Sequence, residues 1–268
     1  MSMRATLELL SRNVVFKRSL PSEFDKTPIF VSPDCGLRYL GSLRKIDPTL
    51  LALTRHFVKP GNVVWDIGAN LGLFSFAAAH CTGKNGFVLA VEPDPWLIGL
   101  LQRSNDLRPK ANASVTPVQA AVCNHIGTVT FHIARRARAS SYIDGMGKSQ
   151  TGGSRCELQV TATTLDSLLE RFPAPDVIKI DVEKAECIAL SGGVRLLKEV
   201  RPVVYCEVAD ENKTWIRDLF QKLEYDLFDP DDLKPIEQAL YNTLAIPRAR
   251  KHASAANLGD MPPNGSEV

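Results

Sequence analysis

The sequence lacks the features that would assign it to a membrane, a zinc site or a disulfide scaffold. No apolar run approaches the ~20 residues needed to cross a bilayer, so no transmembrane helix is expected. Met1 to Ser11 shows no apolar core followed by a small-residue cleavage site, which predicts no secretory leader and a cytoplasmic protein. Six cysteines (35, 81, 123, 156, 187 and 206) stand singly. None forms a Cys-x-x-Cys pair and no histidine completes a zinc pattern, so free thiols acting as small hydrophobes in a reducing compartment are expected. There is no dominant charge: 32 Lys+Arg against 30 Asp+Glu leave a net +2. That balance gives no electrostatic footprint for nucleic acid. No repeat of fixed period is visible.

What is present is ordinary for a folded chain. Across 268 residues, 44% hydrophobic and 23% charged residues exclude disorder over the full length. Residues 1–45, broken by Pro21, Pro28, Pro33 and Gly36, read as an N-terminal cap. Asp47 to Phe57 reads as a helix capped by Asp47, with Pro48 in its first turn. From there to residue 248 strands and helices alternate. Strands are expected at 62–67, 86–91, 115–122, 177–182, 202–208, 225–228 and 243–246. Helices are expected at 73–80, 95–106, 164–171, 185–200 and 215–223, the fourth interrupted by Gly192-Gly193. The alternation predicts an α/β, doubly wound, mostly parallel sheet covered by helices on both faces. Residues 128–133 and 156–162 alternate with period two and suggest a hairpin-like insertion. Its intervening segment, 134–154, is expected to be a mobile loop. Residues 249–268, small and polar, are expected to be a disordered tail.

In such a fold, ligands bind at the carboxyl ends of the strands, where strand order reverses. The first core strand ends in Trp65-Asp66-Ile67-Gly68-Ala69-Asn70-Leu71-Gly72. Gly68 permits a sharp turn and close approach of the backbone to a ligand, and Gly72 lets the next helix pack nearby. The Gly-x-x-x-Gly spacing differs from the dinucleotide Gly-x-Gly-x-x-Gly. A carboxylate at Asp66 would repel a phosphate but suits a cationic amine. S-adenosylmethionine carries such an amine. Glu92, at the second strand tip, can accept two hydrogen bonds from ribose hydroxyls, with Pro93 and Trp96 as candidate flanks of the nucleoside.

Asp66-Ile-Gly-Ala-Asn-Leu-Gly72, Val91-Glu92-Pro93 and Asp176-Val-Ile-Lys-Ile-Asp-Val-Glu183 resemble the FkbM-type methyltransferases. Leu190-Ser-Gly-Gly193, Arg201-Pro202 and Glu207 also fit. The resemblance spans roughly residues 51–248. It implies a Rossmann-like class I methyltransferase sheet of seven strands with an antiparallel strand near the C-terminus. It also implies S-adenosylmethionine as cofactor and O-methylation of a sugar, glycan or natural-product hydroxyl. By position, Asp66, Gly68, Asn70 and Gly72 would line the methionine part of the cofactor and Glu92 would hold the ribose. The end of the third strand, Gln119, Ala120 and Ala121, would lie near the adenine. Asp181 and Glu183 would face the transferring methyl. One departure stands out: the family's usual Glu-Gly is here Glu183-Lys184, and lysine resists backbone angles that glycine tolerates.

Methyl transfer from a sulfonium needs in-line alignment of donor and acceptor, with a base for the hydroxyl proton. Asp181 is the first candidate for base or orienter and Glu183 the second, although Asp181 can alternatively hold the cofactor amine. His125 and His132 are further base candidates. Arg135, Arg136 and Arg138 read either as a solvated loop or as a lid for an anionic acceptor. No residue spacing calls for a metal. Two alternatives remain: a nucleic-acid methyltransferase, and a non-catalytic protein that keeps the cofactor fold.

Overall fold

The computed structural model describes residues 6, 8, 10–146 and 152–248. The expected tail and the segment 147–151 of the expected mobile loop lie outside the described residues.

The strands of the central sheet are short and almost wholly apolar, as strands covered on both faces must be. They are β3 (Val63–Ile67), β4 (Phe87–Val91), β5 (Val115–Val118), β10 (Val177–Ile180), β11 (Val203–Glu207), β12 (Tyr225–Phe228), β13 (Pro235–Ile236) and β14 (Asn242–Pro247). Their spatial order is β13-β12-β14-β11-β10-β3-β4-β5. The run from β5 to β11 is parallel, and each remaining neighbour is antiparallel. The sheet is therefore α/β, large and mixed, with β14 the expected antiparallel strand. Among the described residues it has eight strands rather than seven, because the short edge strand β13 pairs with β12.

Strand order reverses between β3 and β10. From β3 the chain winds outward through β4 and β5, then returns to β10 and winds the other way. The carboxyl ends of β3 and β10 therefore flank the crevice in which such sheets bind ligands. The register sets Ile67 beside Ile180, and Asp181 N–H donates to Ile67 O at 3.0 Å.

Helices cover both faces. On one face lie α1 (Pro48–Phe57), α2 (Leu73–Thr82) and α3 (Pro95–Leu107), sharing a core with the N-terminal cap. On the other lie α4 (Leu165–Leu169), α5 (Glu186–Ser191) and α6 (Lys213–Lys222). The start of α1 follows from its sequence: Asp47 Oδ1 accepts from Leu50 N–H at 2.8 Å, and Pro48 opens the helix. Such a cap contributes about 1 kcal/mol. The helix expected over 185–200 is broken at the expected glycine pair. After α5, Gly192 and Gly193 pass so close to Cys123 and Leu165 that neither has room for a side chain, and a π-helical turn (Leu196–Val200) follows.

The expected third strand, 115–122, is two strands. β5 stays in the central sheet, while β6 (Ala121–Val122) joins a second sheet. That sheet contains β7 (Gly127–Ala134), β8 (Tyr142–Ile143) and β9 (Ser154–Thr163), in the order β6-β9-β7-β8. β7 and β9 form the anticipated hairpin, with a bulge at Ile133/Ala134. The cap contributes a hairpin of β1 (Phe16–Ser19) and β2 (Pro28–Val31). It is tied to α3 by Phe30 N–H donating to Ser104 Oγ at 2.8 Å. All six cysteines are free thiols.

Candidate active site

A cleft opens at the carboxyl ends of β3, β4 and β10. Its floor is the turn after β3. Gly68 sits at φ +78°, and a side chain there would collide with the carbonyl of Asp181. Asn70 keeps φ +50°, a left-handed angle that asparagine tolerates better than most residues. Its Oδ1 is shut off from solvent and has no hydrogen-bond partner among the described residues.

Glu92 lines the wall beyond. Its Oε2 accepts from Asn70 N–H at 2.9 Å and its Oε1 from Asp94 N–H at 3.1 Å. The carboxylate is thereby held by backbone in a fixed plane. Burial, reinforced by the charge of Asp94, pushes it up to about 7. Pro93, Leu97, Ala120, Ala121 and Phe131 supply an apolar wall. Ala120 lies at the break between β5 and β6, so the change of sheet turns this segment into the cleft.

Asp181 and Glu183 follow β10 and line the same cleft, and Glu207, at the end of β11, joins them. Burial, then the charges of Asp181 and Glu186, push Glu183 up to about 8. Burial and Asp181 raise Glu207 in the same direction. Its Oε1 accepts a hydrogen bond from the Tyr241 hydroxyl. Among the described residues no group of three His, Cys, Asp or Glu side chains converges as a metal would need.

Not every expected residue reaches the cleft. Asp66 is fully buried on β3 and does not line it. Its Oδ2 accepts from Ser75 Oγ at 2.5 Å, and its Oδ1 faces Lys179 Nζ at 3.4 Å. An ammonium does sit at Asp66, but the protein supplies it. Gly72 also lies off the cleft. It starts α2 at φ +83°, where a side chain would strike Phe76 and Leu101. Trp96 packs against the core beneath the Arg138 guanidinium rather than facing the cleft. His125 is exposed beside Asn124, outside the lining. His132 stacks on Tyr142 at 4.8 Å and contacts Asp144.

Lys179 is the residue that the sequence reading passed over. It is buried on β10, donates to Gly68 O at 2.9 Å and lies 3.1 Å from Asp181 Oδ2. It therefore ties the floor of the cleft to Asp181. The available signal was a lone cation inside a four-residue strand whose other members are Val177, Ile178 and Ile180. Such a charge must be paired to be tolerated.

Of the three arginines of the insertion, Arg135 is exposed, while Arg136 and Arg138 are paired within the protein. Arg138 donates Nε to Asp94 Oδ2 at 2.5 Å and Nη2 to Asp94 Oδ1 at 3.0 Å, and reaches Asp34 as well. Arg155 holds both oxygens of Asp34, donating to Oδ1 at 3.1 Å and to Oδ2 at 2.6 Å. Arg136 pairs with Glu8. Lys184 also points elsewhere: its Nζ bonds Glu211 at 2.8 Å, outside the cleft lining. The turn keeps the geometry that suits glycine, with Glu183 at φ +46° and Lys184 at φ +73°.

Three comparisons bear on this site. Residues 66–229, more than half of the chain, match the profile of the methyltransferase FkbM domain. The chain is 30% identical over 145 residues to the hexuronic acid methyltransferase AglP of Haloferax volcanii. That match covers 53% of this chain and 54% of the relative, so it spans about half of the relative's length. Among solved structures, the FkbM methyltransferase of Methylobacillus flagellatus aligns with a TM-score of 0.43 and 17% identity, over 69% of this chain and 43% of that one. Aeropyrum pernix fibrillarin with bound S-adenosyl-L-methionine aligns with a TM-score of 0.46 and 12% identity, over 87% and 94%. With the profile running from the floor of the cleft through both carboxylates that follow β10, the chain belongs to the FkbM family of S-adenosylmethionine-dependent methyltransferases.

Proposed function

We propose that this chain methylates a hydroxyl of a sugar or sugar-bearing acceptor, with Asp181 orienting the hydroxyl and Glu183 taking its proton. The observation that carries this reading is the presence of both carboxylates in one cleft with Gly68 and Glu92. The cofactor supplies the methyl group, already activated on a sulfonium, so the protein's task is alignment, desolvation and proton removal.

The residues fit that cofactor. Glu92, held by two backbone N–H groups, keeps lone pairs for the ribose hydroxyls. The orphaned Asn70 Oδ1 is an acceptor for the amine of the methionine part. The apolar wall of Pro93, Leu97, Ala120 and Ala121 suits an adenine ring. The buried Asp66–Lys179 pair supports this floor from below rather than touching the ligand.

Asp181 has one oxygen committed to Lys179, which favours a fixed orienting role. The Glu183 carboxylate makes no hydrogen bond or ion pair among the described residues, and its elevated proton affinity suits a base working near neutrality. The Haloferax relative's name supports a sugar acid as the acceptor class. Lys184 gave the only support to a non-catalytic reading, and it pairs with Glu211 away from the cleft.

The test is methyl transfer from S-adenosylmethionine to a panel of hexoses, uronic acids and their glycosides, in wild type and D181N. Turnover on at least one sugar is expected, with D181N losing far more in kcat than in cofactor affinity. Equal losses in both would move Asp181 to the cofactor. Turnover on no sugar would overturn the acceptor class.

A further inference from the structure

Among the described residues two arginines line the cleft, and the fold commits one of them. Arg138 is bound to Asp94 and Asp34. Arg38 is exposed and makes no hydrogen bond or ion pair among the described residues. Its guanidinium lies only beside the ring of its neighbour Tyr39, 5.8 Å from the centroid. The 3-10 turn that carries it (Leu37–Leu40) is nonetheless firmly seated. Tyr39 is buried, and Arg18 Nη2 donates to Leu40 O at 2.9 Å. A fixed backbone thus presents a free guanidinium at the cleft, close enough for its charge to act on Glu183.

The surroundings narrow what this cation can hold. Asp181 lines the same space, joined by Glu183 and Glu207 as they ionise, so a dianionic phosphate would meet more repulsion than a carboxylate. A carboxylate carries one charge and matches the planar fork of a single guanidinium through two parallel hydrogen bonds. Glu207, which lines this space, already holds the hydroxyl of Tyr241, a residue outside the lining.

We propose that Arg38 is the specificity residue for the acceptor, binding the carboxylate of a uronic acid while the carboxylates beyond β10 receive its hydroxyls. This rests on the reading of the cleft as a sugar methyltransferase site. It places recognition of the acid on the N-terminal cap, outside the stretch matched by the family profile.

The experiment is titration of the full chain, saturated with S-adenosylhomocysteine, with methyl glucuronide and with methyl glucoside, in wild type and R38Q. Arg38 is exposed and unpaired, so R38Q is expected to melt with wild type and to bind the cofactor product equally well. The glucuronide should bind wild type at least about tenfold more tightly than the glucoside, and R38Q should erase that preference. If both sugars bind wild type alike, or R38Q keeps the preference, the role of Arg38 is overturned while the sugar reading stands. If R38Q weakens the cofactor product instead, Arg38 belongs to the cofactor and the proposal fails. If neither sugar binds, the proposal and the sugar reading fall together.

Discussion

Lys179 lies 3.1 Å from Asp181 Oδ2 and 3.4 Å from Asp66 Oδ1, so one buried ammonium joins the strand that begins the cleft to the strand that ends it. The parallel register makes this possible by setting Lys179 directly beside Asp66. Its third contact, Gly68 O, draws the glycine turn into the same cluster.

Removing that ammonium leaves Asp66 buried without its counter-charge. K179M is expected to cost about 3–5 kcal/mol of stability, the usual penalty for stranding one member of a buried pair. The double variant K179M/D66N should recover much of the loss. Chemical denaturation of wild type, K179M, D66N and the double variant measures the coupling. Additive losses would show that the two side chains do not act as a pair. D66A should lower stability along with cofactor affinity, since its carboxylate is walled off from the cleft.

Arg138 fastens the insertion to Asp94, the residue that caps α3 and donates its N–H to Glu92. R138A is expected to weaken S-adenosylhomocysteine binding by about tenfold or more, through a loosened Glu92. R138K should restore little, because lysine cannot span both Asp94 oxygens at once. Calorimetry on the two variants decides the matter. Wild-type affinity in R138A would make the insertion independent of the nucleoside site.

Lys184 holds φ +73° where a glycine would rest without strain. K184G should raise stability by about 1 kcal/mol, the cost of a left-handed conformation in a residue with a side chain. In a chain of this size that is about 2–4 °C in melting temperature. Kinetic constants should stay as they are, because the side chain lies outside the cleft. A fall in melting temperature would mean that the Glu211 contact outweighs the strain.

Glu183 is pushed up to about 8, chiefly by burial and next by the charge of Asp181. A base works only when ionised, so kcat/KM should rise with pH through an apparent value near 8. E183Q should remove that limb and lower kcat by roughly 10²–10⁴-fold. A rate unchanged across about pH 6 to 9 would assign the proton to another group. Stability should move the other way. The folded chain retains this proton between the ordinary 4.5 and about 8, where the unfolded chain has released it. Glu183 therefore makes the protein less stable as pH rises through that interval.

By itself the sequence determined the alternation of short apolar strands with helices, the cap at Asp47, the glycine turn after β3 and the carboxylates at the tips of β4 and β10. Each of these is a local matter: side-chain periodicity, a capping oxygen, or a backbone angle that few residues adopt. Only the tertiary structure decided which of those groups face the cleft. Asp66 and Lys179 sit on neighbouring strands and neutralise each other, and that requires the parallel register between segments more than a hundred residues apart in the chain. Arg138 was legible as a cation but not as a latch, since its partners Asp34 and Asp94 come from the cap and from α3. The break of the third strand at Ala120 was equally hidden. An apolar run reads the same whether it stays in one sheet or crosses to another, and the pairing partner that settles the matter, β9, lies about forty residues further along.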